Sequence, residues 1–277
     1  MSNDLATRLD RLMPLVRQAS EIALNNFGRV SGHTKYDGSI VTEADSLTER
    51  FIVDGLKQRF PGETIIGEEL GESQGNSRYV WSIDPIDGTA AYACRMPYWC
   101  VSIGLMVDRQ PVLGVVALPA LQEIYWAYQG GGAYMQSERW GKEQIKVTSL
   151  TRNAMDKNAT ICVPSTLHHH YQLDHEGKQR SLGSTAIHAL LVARGDAIGA
   201  IMRPFQWDIA GALPILLEAG GRIEAVDNGR VDVQSMLPGS NPPYLILSAP
   251  QFSDYLRQSL QAVNIPTATM GNLGWSH

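Results

Sequence analysis

Five short apolar runs follow one another between positions 63 and 129 with no helical segment between them. Each run is rich in β-branched or aromatic residues, and Gly, Pro and acidic turns separate the runs, which is typical of β-strands. The runs are ETIIGEE, YVWSID, CVSIGLMV, PVLGVVAL and EIYWAYQ. Because parallel neighbours need long crossover connections, strands in direct succession favour an antiparallel sheet.

Two helices are predicted before this sheet. In the first, apolar residues recur at spacings of three and four and form one stripe along about five turns, at Leu5, Leu9, Leu12, Val16, Ala19 and Ala23. In the second, Thr42 is the predicted N-cap, Leu47, Phe51 and Leu56 form the apolar side, and Pro61-Gly62 ends the helix. We expect both helices to cover one face of the sheet.

After position 150 the pattern changes to strands that alternate with helices. The predicted strands are ATICVP, AIGAIM and YLILSA, and the predicted helices are SLGSTAIHALLVARG, DIAGALPILLEAGG and FSDYLRQSLQAV. This alternation predicts a three-layer α/β second half. Pro214 is expected to bend the middle helix or to lie at a short break in it. The tail 267–277 shows little pattern and is expected to be loosely held.

The predicted boundary between the two halves is the Lys/Asn-rich segment from Thr151 to Asn158. The chain is thus expected to have an N-terminal α+β part at 1–150 and a C-terminal α/β part at 151–277. The fold class is α/β in the broad sense, with an antiparallel first sheet and a mixed second half. Most of the acidic residues discussed below belong to the first part, and Asp208 belongs to the second.

The composition excludes several function classes. The formal net charge is -5, whereas a protein that grips a nucleic acid backbone normally carries a basic field. No apolar run approaches the roughly 18 residues of a membrane span, and the N-terminal segment lacks the apolar region of a signal peptide. Cys94, Cys100 and Cys162 show no CxxC spacing, which favours free thiols. We therefore expect a cytoplasmic protein with neither a nucleic acid nor a membrane as its partner.

Acidic residues stand where the predicted strands end. Glu68 and Glu69 follow TIIG, Asp84 and Asp87 follow YVWSI, and Asp208 lies between PFQW and an apolar helix. If these ends converge, the carboxylates raise one another's pKa and cannot all stay ionised without a cation. Mg²⁺ prefers oxygen ligands and commonly shares carboxylates with the phosphate oxygens of a substrate. The pattern therefore predicts a site for magnesium and phosphate.

The segment DPIDGT, which begins at Asp84, offers further groups for such a site. Pro85 favours an extended Asp84, and the turn points the Ile86 carbonyl outward as another oxygen ligand. Gly88 permits close approach of the backbone, and the Thr89 N–H lies at a predicted helix N-terminus, which suits an anion. Taken alone, this segment is most often a β-turn followed by a helix cap. Its occurrence together with the other strand-end acids favours the functional interpretation.

Six segments together resemble the inositol monophosphatase family of Mg²⁺-dependent, often lithium-sensitive phosphatases. They are KYDGSIVTEAD, IIGEE, WSIDPIDGT, MPYWCVSIGL, GSTA and WDIAGALPILLEAGG, and their order and spacing match over nearly the whole chain. The DPIDGT and WDxAG pair is highly specific for the superfamily and much less specific for the substrate. The resemblance implies a layered αβαβα sandwich and a homodimer.

The resemblance also implies a set of metal ligands. Glu68, Asp84 and the carbonyl of Ile86 would hold one ion, and Asp84, Asp87 and Asp208 would hold a second. Glu68 would also help to hold a third, weaker ion. Two or three Mg²⁺ ions per site are therefore expected, and they can activate water and stabilise the leaving alcohol without a covalent nucleophile.

Catalytic and substrate-binding roles are implied in the same way. Thr89 and Asp45 would orient the attacking water, and the N–H groups of Gly88 and Thr89 would hold the phosphate. Gly183 and Ser184, in the GSTA segment, are expected to contact the substrate. In isolation, Asp45 has a simpler explanation, because an acid in the first turn of a helix suits the helix dipole.

The sequence departs from the family on the side of the substrate alcohol. The usual Asn and Phe after the motif are Ala91 and Tyr92, and Ile201 stands where inositol phosphatases place a Glu that binds a sugar hydroxyl. That hydroxyl contact is lost, so a role restricted to inositol phosphates is in doubt. The reaction is therefore better defined by the sequence than its substrate.

Several basic residues are candidates for the neighbourhood of the site. Lys35 lies where the family often has a basic residue near the metals. Arg203 could bind a second phosphate or be a solvated or interface arginine, and Arg180 or His188 could also face the alcohol. The run His168–His170 is expected on the surface, because Mg²⁺ disfavours imidazole.

We therefore predict a phosphoric monoester hydrolase that uses Mg²⁺ to release phosphate from a small polyol or sugar phosphate, its small-metabolite partner. The alternatives within the superfamily are a histidinol-phosphatase, a nucleotide-bisphosphate phosphatase and a fructose-bisphosphatase. A catalytically inactive regulatory homologue is the alternative from another class. It would be expected to lack a ligand, and none is missing among Asp45, Glu68, Asp84, Asp87, Thr89 and Asp208.

Overall fold

A computed structural model of the chain describes residues 2–35, 38–151, 155–227, 231, 236 and 240–263. In this part of the chain, helices and two large sheets alternate in five layers. The tail 267–277 lies outside the described residues, as does part of the predicted boundary segment. The five layers agree with the αβαβα sandwich expected from the sequence.

Helices α1 (Ser2–Asn26) and α2 (Glu43–Arg59) form the first layer. The apolar stripe predicted for α1 is buried, and α2 begins after the predicted N-cap Thr42, whose Oγ1 accepts a hydrogen bond from the Ala44 N–H at 3.2 Å. The predicted apolar side of α2 is only partly correct. Leu47 is exposed. The side of α2 that faces the sheet instead carries residues spaced by four, from Ala44 to Leu56.

The second layer is an eight-stranded sheet in the order β10-β9-β8-β7-β6-β5-β3-β4. Its strands are β3 (Thr64–Gly67), β4 (Gly71–Ser73), β5 (Tyr79–Asp87), β6 (Cys100–Val107), β7 (Gln110–Leu118), β8 (Glu123–Tyr128), β9 (Gly132–Ser137) and β10 (Gly141–Gln144). A separate small hairpin joins β1 (His33–Thr34) to β2 (Ile40–Val41). As predicted, α1 and α2 cover one face of the large sheet.

The prediction of an antiparallel sheet is correct with one exception. Neighbouring strands from β5 to β10 pair antiparallel, but β3 and β5 are parallel, with Ile65 opposite Trp81. The short strand β4 turns back along the outer edge of β3. After β4 the chain crosses to the other edge of β3. There β5 runs in the same direction as β3.

The third layer covers the opposite face of this sheet and consists of α4 (Thr185–Ala193), α5 (Gln206–Ala210) and α6 (Ala212–Glu218). Contact is close, because a Cβ atom on Gly104 of β6 would collide with the Ala210 carbonyl of α5. The break predicted near Pro214 is confirmed, since α5 and α6 are separated at Gly211 and Pro214 lies in the first turn of α6. The helices of the C-terminal half thus share a core with the sheet of the N-terminal half.

The fourth layer is a five-stranded mixed sheet in the order β13-β11-β14-β16-β15. Its strands are β11 (Thr160–Cys162), β13 (Lys178–Arg180), β14 (Gly199–Met202), β15 (Arg222–Ala225) and β16 (Leu245–Ser248). Helix α7 (Ser253–Ser259) packs on its outer face as the fifth layer. The helix predicted at FSDYLRQSLQAV ends earlier than expected, because β17 (Leu260–Ala262) pairs with β12 (Tyr171–Leu173).

The ends of several elements meet at one cleft. Hydrogen bonds join the start of α2 to the segment after β5, and the end of β5 to the start of α4. Helix α5 packs on β5 and β6 in the same region. None of the helices in the described ranges combines the length and apolar character needed to cross a bilayer.

Candidate active site

A chain of hydrogen bonds joins the start of α2 to α3 (Thr89–Ala93). Thr42 donates to Asp45 Oδ2 from its N–H at 2.8 Å and from its Oγ1 at 2.6 Å. The Thr89 Oγ1 lies 3.1 Å from Asp45 Oδ1 and 2.9 Å from the Ile86 carbonyl oxygen. Burial raises the pKa of the Asp45 carboxyl, and the bonds from Thr42 and Thr89 oppose this rise. The two predicted catalytic residues are therefore in direct contact.

The DPIDGT segment forms an irregular end of β5. Asp84 is opposite Ser102 of β6, whereas Asp87 is opposite Cys100, so β5 contains one extra residue between them. The two aspartates were expected after the strand but lie within its last four residues. The bulge bends the chain, but β5 stays paired with β6 beyond it. The Ile86 N–H donates to Asp84 Oδ1 at 3.0 Å, which fixes the carboxylate against its own turn.

Gly88 and Gly183 bring two chain segments close together beside this bulge. Gly88 has a φ of 95°, and a Cβ atom there would lie 2.9 Å from the Tyr98 carbonyl oxygen and 3.2 Å from the Ser184 Cβ. A Cβ atom on Gly183 would lie 3.4 Å from the Ala91 Cβ. The small Ala91, at the position of the family's usual Asn, therefore lets α3 pack directly against the loop before α4.

Tyr92, which stands where the family usually has Phe, has a structural role. Its hydroxyl donates to the Ala23 carbonyl of α1 at 2.7 Å. Its ring packs edge-on against Trp99, with ring centroids 4.8 Å apart. Tyr92 therefore anchors α3 to α1, and the hydroxyl that a Phe would lack has a buried partner.

Asp87 faces the N-terminus of α4. Its carboxylate accepts hydrogen bonds from the Ser184 Oγ at 2.6 Å, the Thr185 N–H at 3.1 Å and the Ala186 N–H at 2.6 Å. Ser184 is buried and also accepts a bond from the Ile187 N–H, so its side chain caps α4. Burial raises the pKa of Asp87, and these bonds oppose the rise. Asp87 thus links the DPIDGT motif to the C-terminal half.

Glu68 lies just after β3, where its N–H donates to the Ile83 carbonyl of β5 at 3.2 Å. The Lys35 Nζ lies 3.3 Å from Glu68 Oε1 and also bonds to Glu69. Burial raises the pKa of Glu68 to about 7, although the charge of Lys35 opposes this rise. Lys35, the basic residue expected near the metals, is thus in contact with Glu68, a predicted metal ligand.

Glu49 supports the same loop, although the sequence pattern did not single it out. Its buried carboxylate accepts hydrogen bonds from the Glu69 N–H at 2.8 Å and the Leu70 N–H at 3.0 Å. Gly67 leaves room for it, since a Cβ atom there would collide with this carboxylate. The available signal was its position four residues after Asp45, on the same side of α2.

Asp208 completes the acidic group from the C-terminal half. Its Oδ2 accepts a hydrogen bond from the Phe205 N–H at 2.8 Å, which holds the carboxylate at the start of α5. Loss of hydration raises the pKa of Asp84 and of Asp208 well above the usual range. Glu68 and Asp87 raise both values further by charge repulsion. The strand-end acids therefore converge, and we call Glu68, Asp84, Asp87 and Asp208 the acidic cluster.

The acidic cluster fits a hard divalent cation by its donor chemistry. Its side chains offer only oxygen, and Lys35 is the one lysine or arginine of the described ranges in an ion pair with a cluster member. In the same ranges, no group of three or more Asp, Glu, His or Cys side chains is arranged to hold a metal ion as it stands. Asp87 and Asp208 turn oxygens toward α4 and α5 instead. Mg²⁺ keeps several water ligands, so one or two of these carboxylates would suffice to hold each ion.

A pocket of about 280 Å³ adjoins the loop before α4. We call it the Arg203 pocket. Its lining includes Gly183, Ser184 and the side chains Thr166, His170, His188, Met202, Arg203 and Tyr244. The Arg203 Nε donates to the Pro242 carbonyl at 2.9 Å, another of its nitrogens contacts Asn241 Oδ1, and its Cζ lies 5.8 Å from the Tyr244 ring centroid. Arg203 is exposed, but it is held at the wall of a cavity.

The other candidates for the alcohol side lie in different environments. His188 lines the pocket, and its Nε2 accepts a hydrogen bond from the Leu182 N–H at 3.0 Å. Burial lowers the pKa of His188 to about 4. Arg180 is exposed and bonds to the Gln179 carbonyl, outside the pocket lining. Ile201 is fully buried in the core beneath α7, so it does not stand in for the missing Glu.

The histidine run divides into two groups. His168 and His169 are exposed and lie outside the Arg203 pocket, which agrees with the expected surface location. His170 is also exposed, but it lines the pocket, with its ring centroid 5.5 Å from that of Tyr244. It reaches the pocket because the chain turns from the 3₁₀ segment Leu167–His169 into β12 at this residue.

Comparisons with known proteins agree over most of the chain. The model of the inositol monophosphatase family matches residues 4–249. The histidinol-phosphatase of Chlorobaculum parvum is 35% identical over 227 residues, which cover 80% of this chain and 85% of that protein. The inositol-1-monophosphatase of a Synechocystis species is 33% identical over 244 residues, which cover 84% of each chain.

A solved structure shares the fold. The Thermotoga maritima IMPase superposes with a TM-score of 0.78 at 28% sequence identity. The alignment covers 91% of this chain and 96% of that chain. The order of layers described above is thus that of a known enzyme structure.

Proposed function

Because this chain belongs to the inositol monophosphatase family, we propose that it uses Mg²⁺ to hydrolyse the phosphate ester of a small polyol or sugar. It is a phosphoric monoester hydrolase, as the sequence predicted. The metal, the substrate and the roles of the individual residues are the proposed part. They rest on the geometry of the acidic cluster and its neighbours.

The convergence of the acidic cluster is the observation that supports this proposal. Glu68, Asp84, Asp87 and Asp208 come from three separate places in the sequence, yet burial and then repulsion by the other three carboxylates raise the pKa of Asp84. Such a group is costly unless a cation neutralises it. We assign Glu68, Asp84, the Ile86 carbonyl, Asp87 and Asp208 as the ligands of two or three Mg²⁺ ions. Bound Mg²⁺ supplies positive charge to the phosphate oxygens and lowers the pKa of a water molecule.

Thr89 and Asp45 are proposed to hold the attacking water. A hydroxyl has one proton, so when Thr89 donates to Asp45 Oδ1 its lone pairs can accept a hydrogen bond from the water, and as the water proton passes to Thr89 the Thr89 proton would pass to Asp45. Burial raises the pKa of Asp45, which favours proton uptake by this carboxylate. The N–H groups of Gly88 and Thr89 are proposed to hold the phosphate.

Gly183 and Ser184 are proposed to contact the substrate through their backbone. Both residues line the Arg203 pocket, but the Ser184 hydroxyl is already bonded to Asp87 and to its own helix. Arg203 lines the same pocket and is proposed as a contact of the substrate alcohol. The phosphate and the alcohol would therefore occupy adjoining parts of one cleft.

The named relatives keep several substrates open. They include a histidinol-phosphatase and enzymes named fructose-1,6-bisphosphatase/inositol-1-monophosphatase. Nucleotide bisphosphates remain a further alternative from the sequence. An inactive regulatory homologue is disfavoured, because the predicted ligands and the Thr89–Asp45 contact are all present.

Phosphate release from a panel of monoesters tests the proposal. The purified protein is incubated with inositol, histidinol, fructose and adenosine phosphates, with Mg²⁺ or with EDTA. We expect turnover of at least one ester with Mg²⁺, and its loss with EDTA and recovery when Mg²⁺ is added back. Turnover that persists in EDTA would contradict the magnesium assignment, and no turnover of any ester would contradict the proposed substrate range.

The expected homodimer and cytoplasmic location also stay predictions. Cys94, Cys100 and Cys162 are free thiols, as their spacing predicted. A mass determined by light scattering in solution distinguishes a dimer from the 30.4 kDa monomer.

A further inference from the structure

The Glu49 side chain is a buried carboxylate that none of the proposed metal or catalytic roles uses. It is fully buried on α2, and among the described residues it forms no ion pair with a lysine or arginine. A carboxylate in such a place lowers stability unless hydrogen bonds replace its lost hydration. Here the two carboxylate oxygens accept one bond each, from the Glu69 N–H at 2.8 Å and the Leu70 N–H at 3.0 Å. These charge-assisted bonds are therefore what Glu49 contributes to the structure.

The two bonds hold the loop that carries Glu68. On one side of Glu68, its own N–H donates to the Ile83 carbonyl of β5 at 3.2 Å. On the other side, the next two N–H groups both donate to Glu49. The backbone is thus fixed before and after a proposed metal ligand, so the direction of the Glu68 side chain is restricted before any ion binds.

Gly67, the last residue of β3, provides independent support. Its φ lies outside the left-handed region, so this position does not require glycine for its backbone conformation. The three heavy atoms nearest to a Cβ atom at this position would all belong to the Glu49 side chain, and the Cβ atom would collide with the carboxylate. The absence of a side chain at Gly67 is therefore explained by the space that Glu49 needs beside the loop.

We propose that Glu49 is a positioning residue for magnesium, which holds the loop after β3 so that Glu68 is in place to bind the ion. The inference rests on the proposed function and extends it to a side chain outside the proposed ligand set. Groups that orient a metal ligand from behind commonly change the metal affinity when they are removed. Glu49 lies four residues after Asp45, on the same side of α2. One face of this helix would then organise both the proposed water site, through Asp45 and Thr89, and the loop of Glu68.

The substitution Glu49→Gln tests this role, because it preserves the size of the side chain but removes one of its two acceptors. A glutamine has one side-chain oxygen, so one of the two loop N–H groups would face the NH₂ group and lose its acceptor. The protein is freed of metal with EDTA, dialysed, and titrated with Mg²⁺ by calorimetry well below its melting temperature. We expect the Kd for Mg²⁺ to rise about tenfold. In the phosphate release assay, the Mg²⁺ concentration that gives half the maximal rate should rise by a similar factor, and kcat at saturating Mg²⁺ should fall by less.

Further variants separate positioning from a general loss of charge or stability. Asp54→Asn removes a carboxylate from the exposed side of the same helix and should leave the Kd for Mg²⁺ unchanged. Gly67→Ala keeps Glu49 but displaces its carboxylate, so it should raise the Kd as Glu49→Gln does. In the double variant Glu49→Ala/Gly67→Ala, the added methyl group has no carboxylate to displace. The Kd of the double variant should therefore equal that of Glu49→Ala alone.

The possible results separate this inference from the proposed function. A Kd for Mg²⁺ that Glu49→Gln leaves unchanged would overturn the inference even if the melting temperature in EDTA falls, because Glu49 would then only stabilise the fold. If Glu49→Gln does not fold, an unchanged Kd in Gly67→Ala overturns it instead. Additive effects of Glu49→Ala and Gly67→Ala would also contradict a shared action on the loop. In each of these cases the wild type still binds Mg²⁺ and the inference fails alone, whereas a wild type that binds no Mg²⁺ would remove the magnesium assignment and the inference together.

Discussion

The acidic cluster and the Arg203 pocket are two sides of one cleft, and the chain builds them differently. In the acidic cluster, the carboxylates of Asp84, Asp87 and Asp208 each accept a hydrogen bond from a backbone N–H group within a bulge or a helix start. In the Arg203 pocket, the residues come from the chain around a 3₁₀ turn, the loop before α4 and the first turns of α4, the end of β14 and the loop before β16, and Arg203 bonds to a flanking loop. One side is fixed by tight backbone turns, and the other side is assembled mainly from loops.

This difference explains why the reaction is easier to infer than the substrate. A tight turn needs particular residues in an unbroken order, so the acidic side has short motifs such as DPIDGT. Loops tolerate substitution and carry specificity, so apart from the GSTA segment the residues of the pocket are scattered from Pro164 to Tyr244 without a motif. Changes on the two sides should therefore have effects of different kinds and sizes.

Substitution of Asp84 should have the largest effect on turnover. Asp84→Asn is expected to lower kcat/KM with Mg²⁺ by about 1,000-fold or more, because it removes a proposed ligand shared by two ions. In EDTA the same change should raise the melting temperature or leave it unchanged, since it relieves repulsion within the buried cluster. Phosphate release measures kcat/KM, and calorimetry measures the melting temperature.

Asp87→Asn is the matched comparison for Asp84→Asn. It should also abolish turnover, but it should lower the melting temperature in EDTA, because the Asp87 carboxylate holds the first N–H groups of α4. If Asp84→Asn retained near-normal turnover, Asp84 would have to be removed from the ligand set. If both variants changed stability equally, the structural role assigned to Asp87 alone would be wrong.

Substitution of Thr89 should have the next largest effect. Thr89→Ala is expected to lower kcat by about 100-fold or more, because it breaks the proposed path for the water proton to Asp45. The affinity for Mg²⁺, measured by titration calorimetry, should change little, since no metal ligand side chain is removed. Thr89→Ser keeps the hydroxyl and should retain most of the activity. Equal losses in Thr89→Ala and Thr89→Ser would exclude this role for the hydroxyl.

Much of the fold could be predicted because the periodicity was local and strong. The α1 stripe, the run of strands from β5 to β8 and the break before Pro214 all follow from residues a few positions apart. The errors arose where distant pairing decided the outcome. The parallel pairing of β3 with β5 depends on where β4 lies, and α7 ends early because Leu260–Ala262 pairs with β12.

The site was predictable to a similar degree. The positions of the strand-end acids and of the DPIDGT segment predicted a shared site on the condition that the strand ends converge, and the charge repulsion that raises the pKa values of Asp84 and Asp208 agrees with that condition. The supporting bonds were not predictable from composition or motif. Glu49 acts on a loop twenty residues away, and Asp87 bonds to α4 almost one hundred residues away, so both contacts depend on the packed layers.

The smallest expected effect is on the pocket side and concerns His188. Burial lowers the pKa of His188 to about 4 in the folded protein, against 6.5 for an exposed imidazole. The unfolded chain therefore binds more protons at this residue between these values, and the free energy of unfolding falls as pH falls through this range. The contribution of His188 should decrease by about 2 kcal/mol between pH 7 and pH 5, and it should change little below pH 4.

The comparison with His188→Gln isolates this contribution. The carboxyl groups of the acidic cluster have raised pKa values, so they increase the free energy of unfolding as pH falls. The pH dependence of the wild type alone therefore combines this increase with the decrease that comes from His188. Gln can still accept the hydrogen bond from the Leu182 N–H but does not titrate. Urea unfolding in EDTA at several pH values gives the difference between the two proteins. A difference that does not vary between pH 7 and pH 5 would show that His188 is not held neutral by burial, and the pocket would then carry a second positive charge at low pH.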